Sequence, residues 1–410
     1  MQKSLLALSI MSAANVAVAA RGQDNCAPEP PATCYPENCN HCYCLGPENY
    51  GVNAPVRPVT CNGDWVISAA GLYWNAHQDG MEYAIETSVK NPDISEPVTS
   101  YIAINNLIDA EYKTPDFKWN WGFKVDFGYN TTCDGWDFGV IWTWYRGKAN
   151  DHIETETDDN HTLLPLWSVS GSLIPTSSGQ HVVLWATDIE TQWKLELNLI
   201  DIELGREYWT SKYLSFRPFV GLRIAYLEQS FEIQHKGGSW SLSRLEIDDS
   251  NFNDKVDLDN DFKGVGVRAG FNTNWHFGCG WGLYGNFAAS IVYGRFSLHH
   301  DEEIRLASAP FDKTKLLETE ESFHASRAML DFALGIQWAS LFCDCQYGFT
   351  VQLGWEQHLF FHQNQLWRVN AIDFATNPPF LLEKRGENVF FQRRGTLDTQ
   401  GWTLKVQFEF

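Results

Sequence analysis

Phe117-Lys118-Trp119-Asn120-Trp121-Gly122-Phe123-Lys124-Val125-Asp126-Phe127-Gly128-Tyr129 alternates apolar and polar residues at every step. The odd positions from Phe117 to Tyr129 are all aromatic or aliphatic, whereas Lys118, Asn120, Gly122, Lys124, Asp126 and Gly128 occupy the even ones. A period of two belongs to a β-strand, whose successive side chains point to opposite sides. The run also exceeds the roughly 9 to 11 residues that a tilted strand needs to cross a bilayer.

Beyond the short turn 130–134 the pattern resumes, with Trp136, Phe138, Val140, Trp142 and Trp144 opposite Asp137, Gly139 and Thr143, as a hairpin requires. The same alternation recurs over 216–226, 265–275, 283–293, 328–338 and 347–356, and the chain closes on Trp402, Leu404, Val406, Phe408 and Phe410. Short turns at 130–134, 209–212, 278–280 and 340–345 alternate with long polar segments at 147–190, 234–261, 299–322 and 362–396. Short periplasmic turns on one rim and long extracellular loops on the other mark an outer-membrane barrel, an order that a soluble sandwich has no reason to keep. The expected fold is therefore an all-β, transmembrane antiparallel β-barrel over 64–410. Parity, with both chain ends on the short-turn side, asks for three strands before Tyr129 at Asp64 to Asn75, Met81 to Val89 and Pro97 to Ile108, or 12 strands in all. A further hairpin around His181 to Ala186 would raise the count, with 16 as the upper bound.

Composition narrows the function. With 30 Lys and Arg against 51 Asp and Glu, the net charge of −21 repels a phosphate backbone, so nucleic acid is not an expected partner. Lys3, an apolar stretch from Leu5 to Val18 and the small residues Ala17-Val18-Ala19 read as a signal peptide over 1–19. Residues 20–63 form a Cys/Pro-rich periplasmic extension holding Cys26, Cys34, Cys39, Cys42, Cys44 and Cys61. The remaining four cysteines, Cys133, Cys279, Cys343 and Cys345, fall in short turns, so all ten collect on one rim if turns and termini are periplasmic. In an exported chain an even cysteine count favours disulfides over a zinc site at Cys39-Asn40-His41-Cys42, and the pairing stays open. Asp257-Leu258-Asp259-Asn260-Asp261 begins like a calcium loop but lacks its turn glycine and its closing acid, so a solvated acidic loop is expected there. No nucleophile elbow, zincin, phosphate-loop or dinucleotide motif occurs, so no catalytic residue, metal or cofactor is expected.

The chemistry that the sequence does offer is a lumen. Opposite the aromatics stand Lys118, Lys124, Lys194, Arg217, Arg223, Arg268, Arg327 and Lys405, against Asp126, Asp137, Glu196, Asp331 and Glu356. These are the expected pore-lining residues, with about half expected to satisfy one another across strands. In the strand from Thr191 to Tyr208 the alternation slips near Leu199-Ile200, which predicts a bulge that turns Asp201 and Glu203 inward as well.

Several stretches resemble a known family, the major outer-membrane porins of legionellae and chlamydia-like bacteria. They are Gly71-Leu72-Tyr73-Trp74 with Gly80-Met81-Glu82-Tyr83-Ala84, Trp121 to Tyr129 with Asp134-Gly135-Trp136-Asp137, and Ile200 to Tyr208. The most specific is Leu214-Ser215-Phe216-Arg217-Pro218-Phe219-Val220-Gly221-Leu222-Arg223. The resemblance runs through most of 64–226, continues more loosely to Phe410, and does not extend to the cysteine-rich segment. It implies a Gram-negative outer-membrane porin for passive diffusion of small hydrophilic solutes and ions. It also implies recognition of the aromatic end, Phe408 and Phe410, by the barrel-assembly machinery. Outer-membrane lipid, a second copy of the chain and disulfide-linked envelope proteins are the other expected partners. The competing expectation is a disulfide-crosslinked structural or adhesive barrel with a closed lumen.

Overall fold

The computed structural model describes residues 45–46, 54–56, 63–88, 109–132, 135–155, 161–168, 174–175, 181–182, 186–237, 252–306, 311–342, 347–373 and 386–410. The signal peptide, most of the cysteine-rich extension, every cysteine except Cys279, and Pro97 to Ile108 lie outside them.

Ten long strands close into a ring: β1 (Asp64–Gln78), β2 (Trp119–Asn130), β3 (Trp136–Glu154), β4 (Asp188–Arg206), β5 (Leu214–Lys236), β6 (Phe252–Gly278), β7 (Trp281–Leu306), β8 (Lys313–Phe342), β9 (Tyr347–Asn364) and β10 (Gly395–Glu409). Each is antiparallel to its neighbours in sequence, and β10 closes on β1 through pairs such as Ile67↔Phe408. The sheet counts twelve strands because Asp116–Phe117 also pairs with β3 and Tyr208–Ser211 with β5. Closure removes every free edge, the condition for a sheet to stand in lipid.

Two segments assigned as crossings take other places. β1 pairs directly with β2, as in Ile67↔Phe127, with no strand between them. Among the described residues of the Met81 to Val89 stretch only Ala84–Thr87 is a strand, and it joins Glu111–Lys113 and Thr162–Pro165 in a small separate sheet. His181–Val182 likewise pairs with Ile174–Pro175 away from the ring.

Outward side chains define the lipid band. Trp65, Ile67, Trp121, Val267, Ile291 and Leu334 are between 44% and 71% exposed, which a soluble protein would not sustain over a continuous belt. On β1 the outward Trp65 and Tyr73 are eight residues apart, roughly 26 Å of extended chain. That suits a tilted strand crossing an apolar band of roughly 25 Å between aromatic girdles.

Above the band the pattern inverts. On β6, Val256, Leu258 and Phe262 are buried inside while Lys255, Asp257, Asp259 and Asp261 face outward. The acidic stretch 257–261 is thus strand, not loop. Similarly, 299–306 and 313–322 continue the β7–β8 ladder instead of forming a loop. β4 pairs in unbroken register with β3 and β5, so the expected bulge at Leu199-Ile200 is absent. The hydropathy changes face there because the surroundings do: lipid outside gives way to water, and a polar lumen gives way to a packed one.

Candidate functional site

Even spacing places a belt of charged side chains on the inner faces at the level of the membrane. Arg223 of β5 stands directly across from Asp201 of β4 in the ladder. It donates to both carboxylate oxygens, Nε to Oδ1 at 2.6 Å and an Nη to Oδ2 at 2.7 Å, and its Nη2 lies 2.9 Å from Asp331 of β8. Arg268 of β6 bonds the same Asp331 and reaches Glu203 at 3.2 Å. Arg217 donates Nε to Asp137 at 2.9 Å and contacts Glu203 at 3.1 Å. Gly205 makes room for it, since a Cβ there would sit 2.6 Å from the Arg217 Nε. Lys124 meets Glu356 at 2.7 Å, Lys405 meets Asp126 at 3.4 Å, and His358 Nδ1 lies 2.6 Å from Asp331. Five cations thus interlock with six carboxylates and one imidazole. Most of these groups are nearly excluded from water, an arrangement tolerated only because each charge has a partner.

Below the belt lies a cavity of about 430 Å³ whose wall includes Asn272, Asn274, Gln352 and Gln407 and reaches Gly278, Gly280 and Glu409 at the short-turn rim. Above it the lumen is filled. Trp74, Tyr145, Trp193, Phe231, Phe262, Phe296, Met329 and Phe360, one each from β1 and from β3 to β9, are at most 1% exposed and belong to one apolar cluster. Met81, Tyr83, Leu163, Trp167 and Leu366, from the connections, insert among them. Trp74 packs at a tilt against Tyr145 at 5.6 Å and against His358 at 4.8 Å, joining seal to belt.

Polar contacts hold the inserted segments. Trp167 donates Nε1 to the Glu82 carbonyl at 2.8 Å, and Tyr83 donates its hydroxyl to Asp151 at 2.8 Å. The Ser168 hydroxyl donates to Glu302 at 2.6 Å. Glu82 lies 3.0 Å from Arg368 and 2.6 Å from Arg393. Burial alone would raise its carboxyl, but the Arg393 hydrogen bond and the charges of Arg393 and Arg368 hold it below the usual range.

Nine of the residues expected in the lumen line the cavity: Lys124, Asp126, Asp137, Arg217, Arg223, Arg268, Asp331, Glu356 and Lys405. All nine are paired, more than the half expected. Four stand elsewhere. Lys118 is exposed just before β2, and Lys194 and Glu196 lie on the outer face of β4, where Glu196 meets Arg146 at 3.1 Å. That follows from the missing bulge: one unbroken alternation turns Asp201 and Glu203 in and therefore Lys194 and Glu196 out. Arg327 sits above the cavity, its guanidinium 4.8 Å from the Phe296 ring. His358 was missed, although it shares the parity of Glu356; so was the apolar seal, although Trp193, Leu195, Leu197 and Leu199 share the parity of Asp201.

Phe408 and Phe410 point outward, 36% and 39% exposed, and Phe410 exchanges backbone hydrogen bonds with Trp65 where the ring closes. Cys279 occupies the β6–β7 turn with a φ of 52°.

A closed antiparallel ring, apolar outward over a bilayer-height band and ionised inward, defines an outer-membrane β-barrel. Residues 58–408 match the family described as the Legionella pneumophila major outer membrane protein precursor, and the chain belongs to that family. It is accordingly a protein of the outer membrane. No curated protein matches its sequence. Among solved structures it is similar to Ail, the attachment invasion locus protein of Yersinia pestis, at 10% identity over 85% of this chain and 99% of that one, with a TM-score of 0.23. It is also similar to the outer membrane protease OmpT of Escherichia coli (9% identity, 88% and 99% covered, TM-score 0.25). A FadL homologue of Pseudomonas aeruginosa matches at 8% identity, with 86% and 92% covered and a TM-score of 0.25. Similarity this distant says nothing about activity.

Proposed function

We propose that the barrel is closed to through-flow and that the protein is a non-catalytic structural component of the outer membrane. The observation that carries this is the single apolar cluster joining nine of the ten strands across the lumen. Returning one large apolar side chain to water costs about 1.5–3 kcal/mol. Clearing eight would cost well over ~10 kcal/mol, on the order of a whole domain's stability. A passage that opens so rarely does not serve passive diffusion. Cys279 in a short turn is disulfide-bonded within the chain, which braces the short-turn rim of the barrel.

The cavity favours a second reading, a porin for small hydrophilic solutes and ions, since thirteen acidic and basic side chains line it. That reading needs the inserted segments and the aromatic wall to move aside. Planar-bilayer recording of the purified full chain separates the two. We expect no unitary steps; reproducible steps would overturn the closed barrel and assign the porin.

A further inference from the structure

Beyond the bilayer, at the extracellular end, Leu258 of β6, Leu298 of β7, Leu366, Trp367 and Phe390 surround an apolar cavity of about 250 Å³. His300 of β7 lines it as well, and Thr319 and Glu321 of β8 edge it. The imidazole is 5% exposed, yet neither ring nitrogen has a hydrogen-bond partner among the described residues. Leaving buried polar atoms unmatched costs roughly 1–3 kcal/mol each, so a ring with both nitrogens bare calls for a ligand. Trp367 cannot fill that role from the wall, because it donates Nε1 to Glu321 at 2.9 Å.

Burial pushes the His300 ring down to about 4, and the neighbouring His299 acts in the same direction while Asp301 opposes it. At neutral pH the ring is therefore uncharged, with one nitrogen donating and the other accepting.

We propose that this cavity is a binding site for a small neutral molecule of the phenol class, an aromatic body carrying one hydroxyl. The apolar walls take the ring, and a hydroxyl, which both donates and accepts, can bond whichever ring nitrogen of His300 it reaches. An anion is disfavoured by Glu321 at the edge and by the net charge of −21. The volume lies just under the roughly 300–1,000 Å³ of drug-sized sites, which limits the occupant to one or two rings. Lumen conductance and this site are independent, so either can hold without the other.

The test is fluorine NMR of the full chain in detergent micelles with 4-fluorophenol, fluorobenzene and 4-fluorobenzoate, against protein-free micelles. The expected result is saturable binding of 4-fluorophenol, at least about five-fold weaker binding of fluorobenzene, and none of the benzoate, in line with ~1 kcal/mol for one hydrogen bond. His300→Phe should bring 4-fluorophenol down to the level of fluorobenzene, and Leu298→Trp should abolish both by filling the space. Each variant's fold is checked by its heat-modifiable migration. Micelle partitioning alone with the natural chain, or full 4-fluorophenol affinity in His300→Phe, would overturn the site.

Discussion

Arg223 shows what a lumen charge costs when its partners are not matched. It is 1% exposed and bound by Asp201 and Asp331, so Arg223→Met would take away the bidentate partner of Asp201 and leave both buried carboxylates to Arg268, with His358 beside Asp331. A loss of about 3–5 kcal/mol is expected in urea unfolding of the micelle-embedded barrel. Adding Asp201→Asn should restore part of it, and an undiminished loss in the double variant would show that the belt contributes through shape instead of charge. Glu82 gives a pH dependence of definite sign. Its carboxyl is held below the usual carboxylate value by Arg393 and Arg368, so the stabilisation is complete above the unfolded-state value and lost as pH falls through the lower folded one. Urea midpoints should therefore drop on acidification below about pH 4.5. In Glu82→Gln that component of the slope should vanish, and an unchanged slope would assign the acid sensitivity to other groups.

At the level of single strands, the sequence was legible where one environment holds for a whole element. β2 lies within the lipid band and reads correctly along its length, because Trp121, Val125 and Phe127 meet lipid and Lys124 and Asp126 meet the lumen. β4 misleads because it passes through two environments. In its membrane half Ile200, Ile202 and Leu204 face out, and above it Lys194 and Glu196 do, so a continuous alternation carries hydropathy that changes sides. A bulge and a change of surroundings give the same letters, and only the ladder to β3 and β5 tells them apart. The corresponding prediction uses an impermeant maleimide on intact cells. Lys194→Cys should label readily from outside and Ile202→Cys should not, while the native cysteines, expected at the periplasmic rim, should stay unlabelled until the cells are lysed and disulfides reduced. Protection of the 194 position would lower the barrel in the membrane and restore the expected inward bulge.

For the whole molecule, a ring of ten strands is narrow enough for wall and inserted side chains to meet in the middle, and closure and stability then rest on the same residues. The miscount of crossings arose here: Ala84–Thr87 is a strand in its own right, but it pairs with Thr162–Pro165 in a sheet outside the ring. Local periodicity reports a strand without reporting its partner. Trp167 tests what the inserted segments are for. It is fully buried, packs edge-on to Phe231 at 6.1 Å and lies under the Arg368 guanidinium at 4.7 Å. Trp167→Ala should cost about 3–5 kcal/mol by leaving a cavity. It should not admit ions, because the aromatic wall from Trp74 to Phe360 still bridges the lumen without it. Denaturant midpoints and bilayer recordings on the same preparation read both quantities. A destabilised barrel that stays silent fits a seal distributed over nine strands, whereas unitary steps gained by this one truncation would make the segment a gate and the protein a porin held shut.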